Sequence, residues 1–203
     1  MKTNREYRNC AEFRIDGESE AVTVTGYATT FEQPYTLMAY GDCEIREVID
    51  SHAFDSCDMS DVIMQYNHEG RVFARSKNGT LSVQPDEHGL RVFANLGGTE
   101  IGRQLYEEIK GGYTDKMSFG FVVSDDKRED ETVDGKTIIT RRITGISKLY
   151  DVSAVSIPAN DSTSISARSF CDGVIAELEA ERLEAQEIEA QRLKLKLKIK
   201  LEG

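Results

Sequence analysis

The chain has 203 residues, 39% hydrophobic and 30% charged, proportions that fit one main domain with a small appendage, since domains run to roughly 100–200 residues. Its net charge of −11 excludes a nucleic-acid-binding body, because phosphate neutralisation needs clustered Lys and Arg that are missing before the tail, and no apolar run approaches the roughly 20 residues that span a bilayer. Cys10, Cys43, Cys57 and Cys171 contain no Cys-x-x-Cys pair, so free thiols are expected in place of a zinc site or a disulfide framework.

The N-terminal residues are polar and lack the apolar centre of a secretory signal, which points to a cytosol-like compartment. From Ala21 to about Ile157 the pattern is mostly β. Val22 and Val24 alternate before Gly26-Tyr27-Ala28, and Val62-Ile63-Met64 leads into Tyr66. The runs Thr80 to Val83 and Leu90 to Ala94 flank Pro85-Asp86-Glu87-His88-Gly89, a set of turn formers that predicts a hairpin. A helix then interrupts the strands, with Thr99 as N-cap, Ile101, Leu105 and Ile109 at four-residue steps, and Gly111-Gly112 as the stop.

From Lys116 to Val123 the alternation places Met117, Phe119, Phe121 and Val123 on one face, and Ser118, Gly120 and Val122 on the other. The charge-dense stretch Ser124 to Asp134 reads as an exposed loop. Gly135 precedes a strand over Thr137 to Ile143, and a last strand covers Leu149 to Ile157. After Arg168 the composition turns to Glu, Ala, Leu, Gln and Arg, which predicts a helix over Val174 to Leu193. From Asp172 this tail holds eight acidic and six basic residues, so most of the negative charge lies in the body. The closing run Leu193 to Leu201 alternates with period two and suits an amphipathic strand. The expected organisation is a polar N-terminal segment, 1–19, a main domain, 20–168, and a C-terminal helical and charged tail, 169–203.

Three stretches carry the chemistry: Tyr66-Asn67-His68, Met117-Ser118-Phe119-Gly120-Phe121, and Leu149-Tyr150-Asp151-Val152-Ser153 running on to Ile157-Pro158-Ala159-Asn160. They supply a base, a nucleophile and an acid, the parts of a serine hydrolase. Ser118 projects away from the apolar stripe, and Gly120 on its face leaves room for a substrate or a base. A serine in such a run is more often a small polar residue on a strand's wet side, so its weight comes from the set. The segment is not the Gly-x-Ser-x-Gly elbow of α/β-hydrolases.

His68 falls at a strand end, whereas His88 lies inside a turn and His52 lies near an expected helix start. Imidazole is the commonest general base near neutral pH, set against a loop histidine with no chemical role. Asp151 shares its strand face with Ser153, Val155 and Ile157, which calls for a partner unless the strand is an edge that turns the carboxylate to water. Of Arg141 and Arg142, at most one could face a developing oxyanion, because adjacent strand residues point oppositely.

Taken together, Gly26-Tyr27-Ala28, Asn67-His68, Gly79-Thr80-Leu81, Gly89-Leu90, Met117 to Phe121, and Asp151-Val152-Ser153 with Pro158-Ala159 make the chain, over residues 20–168, resemble the prohead maturation proteases of tailed bacteriophages. That family is distantly similar to herpesvirus assemblins. The resemblance implies a mainly β fold with helices (α+β), built as a closed herpesvirus-protease-like β-barrel surrounded by helices, with a C-terminal helical tail. It implies a serine endopeptidase in which Ser118 is the nucleophile and His68 the general base. Herpesvirus enzymes use a second histidine after the serine; here every histidine precedes Ser118, and Asp151 takes that place where related phage sequences usually look like Glu-Val-Ser.

The implied reaction is acyl transfer with no metal or cofactor. Its substrates would be the major capsid protein or a scaffold protein, and the enzyme itself, inside the prohead assembled in the bacterial host cytoplasm, with no nucleic-acid or membrane partner. A homodimer is expected by analogy with the herpesvirus enzymes. The competing class is a catalytically inactive capsid-assembly scaffold or interaction protein that keeps the protease fold, motivated by the Glu-rich tail. That tail is expected to dock among scaffold proteins and to be removed by self-cleavage.

Overall fold

Alternating sequences become strands in which every second side chain is buried, as in Thr23–Thr30, where Val24, Gly26 and Ala28 face inward. The computed structural model describes residues 5–14, 22–156 and 165–202. In chain order they form β1 (Glu6–Arg14), β2 (Thr23–Thr30), β3 (Tyr35–Tyr40), β4 (Cys43–Ile49), β5 (Ile63–Tyr66), β6 (Glu69–Arg75), β7 (Leu81–Pro85), β8 (Gly89–Asn95), α1 (Glu100–Lys110), β9 (Lys116–Val133), β10 (Lys136–Val155) and α2 (Ile165–Glu202). The protein is thus mainly β with two α-helices among the described residues, an α+β fold. It forms two compact units, Met1–Ala167 and Arg168–Gly203.

The strands join in one ten-stranded sheet. Its ladders run β6–β5–β10–β9–β1–β2–β8–β7, and β4 with β3 extends from the first half of β10 on the side that β5 takes farther along. The path ends, β6 and β7, are consecutive in the chain and joined through the 3₁₀ turn Ser76–Asn78. Among the described residues no ladder links them. Phe54, Met64, Leu90, Leu96, Phe119 and Val152 belong to the continuous apolar core, which supplies the main driving force for folding.

The expected hairpin of β7 and β8 forms. So does α1, where the Thr99 hydroxyl accepts from the Gly102 N–H at 3.1 Å and Gly111 ends the helix. Four other expectations are corrected. Ser124 to Val133 is not a loop but the outer part of β9, turned back onto β10 at Asp134 and Gly135, whose φ angles of 51° and 79° suit a two-residue type I′ turn. Its charges pair across and along the strands, as in Arg142 Nε to Glu129 Oε1 at 2.8 Å and Arg128 Nε to Asp130 Oδ1 at 2.8 Å, so the ladder holds without apolar alternation.

The two strands expected after Gly135 are one, β10, whose register shifts around Gly145. His52 sits in successive turns spanning 51–56 and not at a helix start. The run after Leu193 continues α2 as helix; Leu and Lys are both strong helix formers, and extending an existing helix costs little. Cys43, Cys57 and Cys171 keep their thiols out of disulfides, while the side chain of Cys10 and the Ile157-Pro158-Ala159-Asn160 stretch lie outside the described residues.

A buried ionic network ties β1 to β4 and β10. Arg8 Nε and Nη2 donate to Glu47 at 2.5 and 2.8 Å, Arg8 Nη2 also donates to Glu6 at 2.5 Å, and Arg141 Nη1 reaches Glu6 at 2.9 Å and Glu47 at 3.1 Å. Tyr35 adds a hydroxyl hydrogen bond to Glu47. Burial alone would raise the Glu6 carboxyl, but hydrogen bonds and charge from Arg141 and Arg8 hold it below its ordinary 4.5. Its contribution to stability is therefore present above pH 4.5 and is lost as the pH falls through the lowered value. Arg8→Ala, which leaves Glu47 short of its main partner, is expected to cost about 3–5 kcal/mol. A urea midpoint unchanged from the parent protein would refute this.

Candidate active site

The β5–β6 connection is two residues long, Asn67 and His68, with φ of 50° and 61°. This is the left-handed pair that a type I′ hairpin needs, and Asn and His are among the non-glycine residues that enter it most readily. The turn is pinned to the end of β10: the Asn67 N–H donates to the Ala154 carbonyl at 2.8 Å, and Asn67 Oδ1 accepts from the Ser156 N–H at 3.2 Å. β10 lies between β5 and β9, pairing Asp151 with Ile63 on one side and with Gly120 on the other, and Ser153 with Ser118. Sheet register thus gathers a turn residue and two strand residues that stand 50 and 83 positions away from it.

Their side chains form a series. His68 Nε2 lies 2.6 Å from Ser118 Oγ, and His68 Nδ1 lies 2.5 Å from Asp151 Oδ1. The Ser153 hydroxyl donates to the same carboxylate oxygen at 2.8 Å. An ionised Asp151 accepts a hydrogen bond from the Nδ1–H, which leaves the Nε2 lone pair aimed at the serine hydroxyl. Such an arrangement can take a proton from the hydroxyl as its oxygen attacks a carbonyl, and the carboxylate offsets the imidazolium charge that results. Ser118 has 0% and Asp151 1% of its surface exposed, while the His68 side chain keeps 17%. The two plainer alternatives, a serine on a wet strand face and an edge-strand aspartate turned to water, do not describe these residues.

The structure departs from the sequence pattern at three points. Gly120 is expected to leave room for substrate or base; a Cβ there would stand 2.4 Å from Asp151 Oδ2 and 2.8 Å from Tyr7 Cε1, so the space is taken by the acid and by a tyrosine ring. Neither arginine of the Arg141–Arg142 pair serves Ser118. Arg141 belongs to the buried network, and Arg142 pairs with Glu32 at 2.6 Å and Glu129 at 2.8 Å. Tyr7 and Arg5 are neighbours of the site that the sequence motifs do not mark, and Ser153 is a neighbour that lies within a motif but carries no role there. Ser153 is legible in part, since it follows Asp151 by two positions on one strand face, but no local pattern links residues 5 and 7 to 68 or 151.

Beside the turn, the β5–β6 hairpin and α1 border an open cleft of about 510 Å³. Tyr66, Phe73, Ile101 and Leu105 give it apolar walls, and Glu69 and Glu108 are among its polar lining residues. Its size falls within the range of ligand clefts, roughly 300–1,000 Å³. Among the described residues no helix is long and apolar enough to cross a membrane.

Residues 9–173 match the family model described as caudovirus prohead serine protease. No curated protein and no solved structure matches the chain.

Proposed function

Given that the chain belongs to the caudovirus prohead serine protease family, we propose that it is a serine endopeptidase that cuts the capsid protein's scaffolding segment or a separate scaffold protein, and itself, as the prohead matures. The observation that carries this reading is His68 held between Ser118 Oγ and Asp151 Oδ1 at 2.6 and 2.5 Å. Family membership supports the biological setting, a role inside the prohead within the host, with capsid and scaffold proteins as the class of substrate. We read the sheet as the assemblin-like barrel, in which β6 and β7, the two ends of the ladder path, would close on each other beside the short turn that joins them.

In the proposed mechanism, His68 Nε2 removes the Ser118 proton as Oγ attacks the peptide carbonyl carbon. The C–N bond then breaks, with the same proton passing to the leaving amine. Water, deprotonated by His68, hydrolyses the acyl-serine and restores the hydroxyl. Asp151 keeps Nδ1 protonated throughout. Co-expression with the phage's own major capsid and scaffold proteins tests the reading: shortened products should form, and a fluorophosphonate probe should label Ser118. Absence of both would leave a non-catalytic assembly role for the fold.

Because the cleft shares its hairpin with His68, substrate side chains are assigned to it in this reading. Gln104 lines the cleft from an exposed position on α1, so Gln104→Trp should fill it without disturbing the core. Peptide cleavage is expected to fall by roughly 10-fold or more in kcat/KM, about the effect of 1.4 kcal/mol of lost binding, with phosphonate labelling unchanged. Unaltered peptide cleavage would remove the cleft from substrate binding.

A further inference from the structure

We propose that β1 and the residue just before it are a working part of this site, with Arg5 and Tyr7 as positioning residues for Asp151 and His68; the inference rests on the protease reading above. Asp151 is buried, and its two carboxylate oxygens are treated unequally. Oδ1 meets His68 and Ser153. Oδ2 has no hydrogen-bond partner and faces Arg5 Nη1 at 3.7 Å. A buried carboxylate with one bare oxygen is costly unless a cation answers it. The Arg5 guanidinium is held where it can supply that charge, because its carbon lies 3.8 Å from the centroid of the Tyr150 ring and its side chain keeps only 28% exposure.

Tyr7 performs the matching service for the base. Its ring centroid stands 4.3 Å from that of His68 with the planes tilted by 57°, so it walls one side of an imidazole that the turn alone would hold only by its backbone. The ring fits because position 120 carries no Cβ. Alternation along residues 5–8 then divides the start of β1 and the residue before it into two functions. Arg5 and Tyr7 point to the triad, while Glu6 and Arg8 point to the buried network with Glu47 and Arg141. That network fixes where the strand lies along β9, and the backbone register Tyr7↔Gly120 and Asn9↔Ser118 carries the position to the triad.

The test uses the full chain and its Arg5→Ala, Arg5→Lys, Tyr7→Leu and Tyr7→Phe variants, with peptide kinetics, the rate of fluorophosphonate labelling, and a thermal melt for each. Misplacing a base or acid by about 1 Å can cost on the order of 100-fold. Arg5→Ala and Tyr7→Leu should therefore lower kcat and labelling together by roughly 10- to 100-fold, with KM within about twofold of the parent. Arg5→Lys should recover most of the loss by restoring the charge, and Tyr7→Phe by restoring the ring. The low-field NMR resonance of the His68 Nδ1 proton should move in Arg5→Ala and return in Arg5→Lys.

Parent-like kcat and labelling in Arg5→Ala, or a deficit in Arg5→Lys as deep as in Arg5→Ala, would overturn the role of Arg5. The same pattern at Tyr7 would overturn the role of the ring. If Arg5→Ala fails to fold, Arg5→Lys and the position of the Nδ1 resonance decide the matter. The parent reading fails separately, by an unlabelled Ser118 in the unaltered protein.

Discussion

Ser118→Ala is expected to lower peptide turnover on the order of 10⁶-fold, the scale on which a serine nucleophile acts together with its base. The physical reason is that the Ser118 hydroxyl is the one that meets His68 Nε2, at 2.6 Å. Because nucleophile and base act as one unit, His68→Ala should cost about as much, and the double variant no more than either alone. The fold should survive: the change removes one oxygen at a fully buried position, worth about 1–3 kcal/mol for a lost hydrogen bond. Single-turnover cleavage beside a thermal melt separates the two effects. Shortened capsid or scaffold products made by a folded Ser118→Ala protein would sink the assignment.

Asp151→Asn should lower turnover by roughly 10⁴-fold through the tautomer of the base and not through loss of structure. An amide can present its NH₂ to His68 Nδ1, which then keeps its lone pair and leaves the proton on Nε2, facing the serine oxygen it should deprotonate. Gly120→Ala probes the same carboxylate from below. Its new Cβ would stand 2.4 Å from Asp151 Oδ2 and 2.8 Å from Tyr7 Cε1, so acid and ring must both give way. Such crowding costs about 1–3 kcal/mol of stability, and a shift of about 1 Å in the acid costs on the order of 100-fold in rate. A Gly120→Ala protein with parent kcat would show that the close fit around Asp151 has no catalytic weight.

Local patterns locate much of this molecule. The Pro85 to Gly89 turn residues sit between β7 and β8, Thr99 and Gly111 bracket α1, and the alternation from Met117 to Phe121 falls within β9. Each depends on interactions within a few residues of chain, which composition and spacing express directly. Local patterns mislead where partners at a distance outweigh local character. Ser124 to Val133 has the composition of a loop, yet β10 supplies its backbone ladder and the counter-charges of Asp126 and Glu129. The run after Leu193 has a strand's alternation, yet it prolongs a helix already formed.

At the site, sequence alone determined which residue types were available and their local placement: a serine on an alternating strand, a histidine just after another, and an aspartate on the strand face it shares with Ser153 and Val155. Those features are local because side-chain direction follows backbone period. Only the tertiary structure decided that the three meet, since the parallel β5–β10 and antiparallel β9–β10 ladders align Ile63, Gly120 and Asp151. It alone brought Arg5 beside Asp151 and Tyr7 beside His68. Register between strands far apart in the chain is fixed by core packing and the buried charges of Glu6, Arg8, Glu47 and Arg141 acting together, and no single stretch of sequence contains that sum.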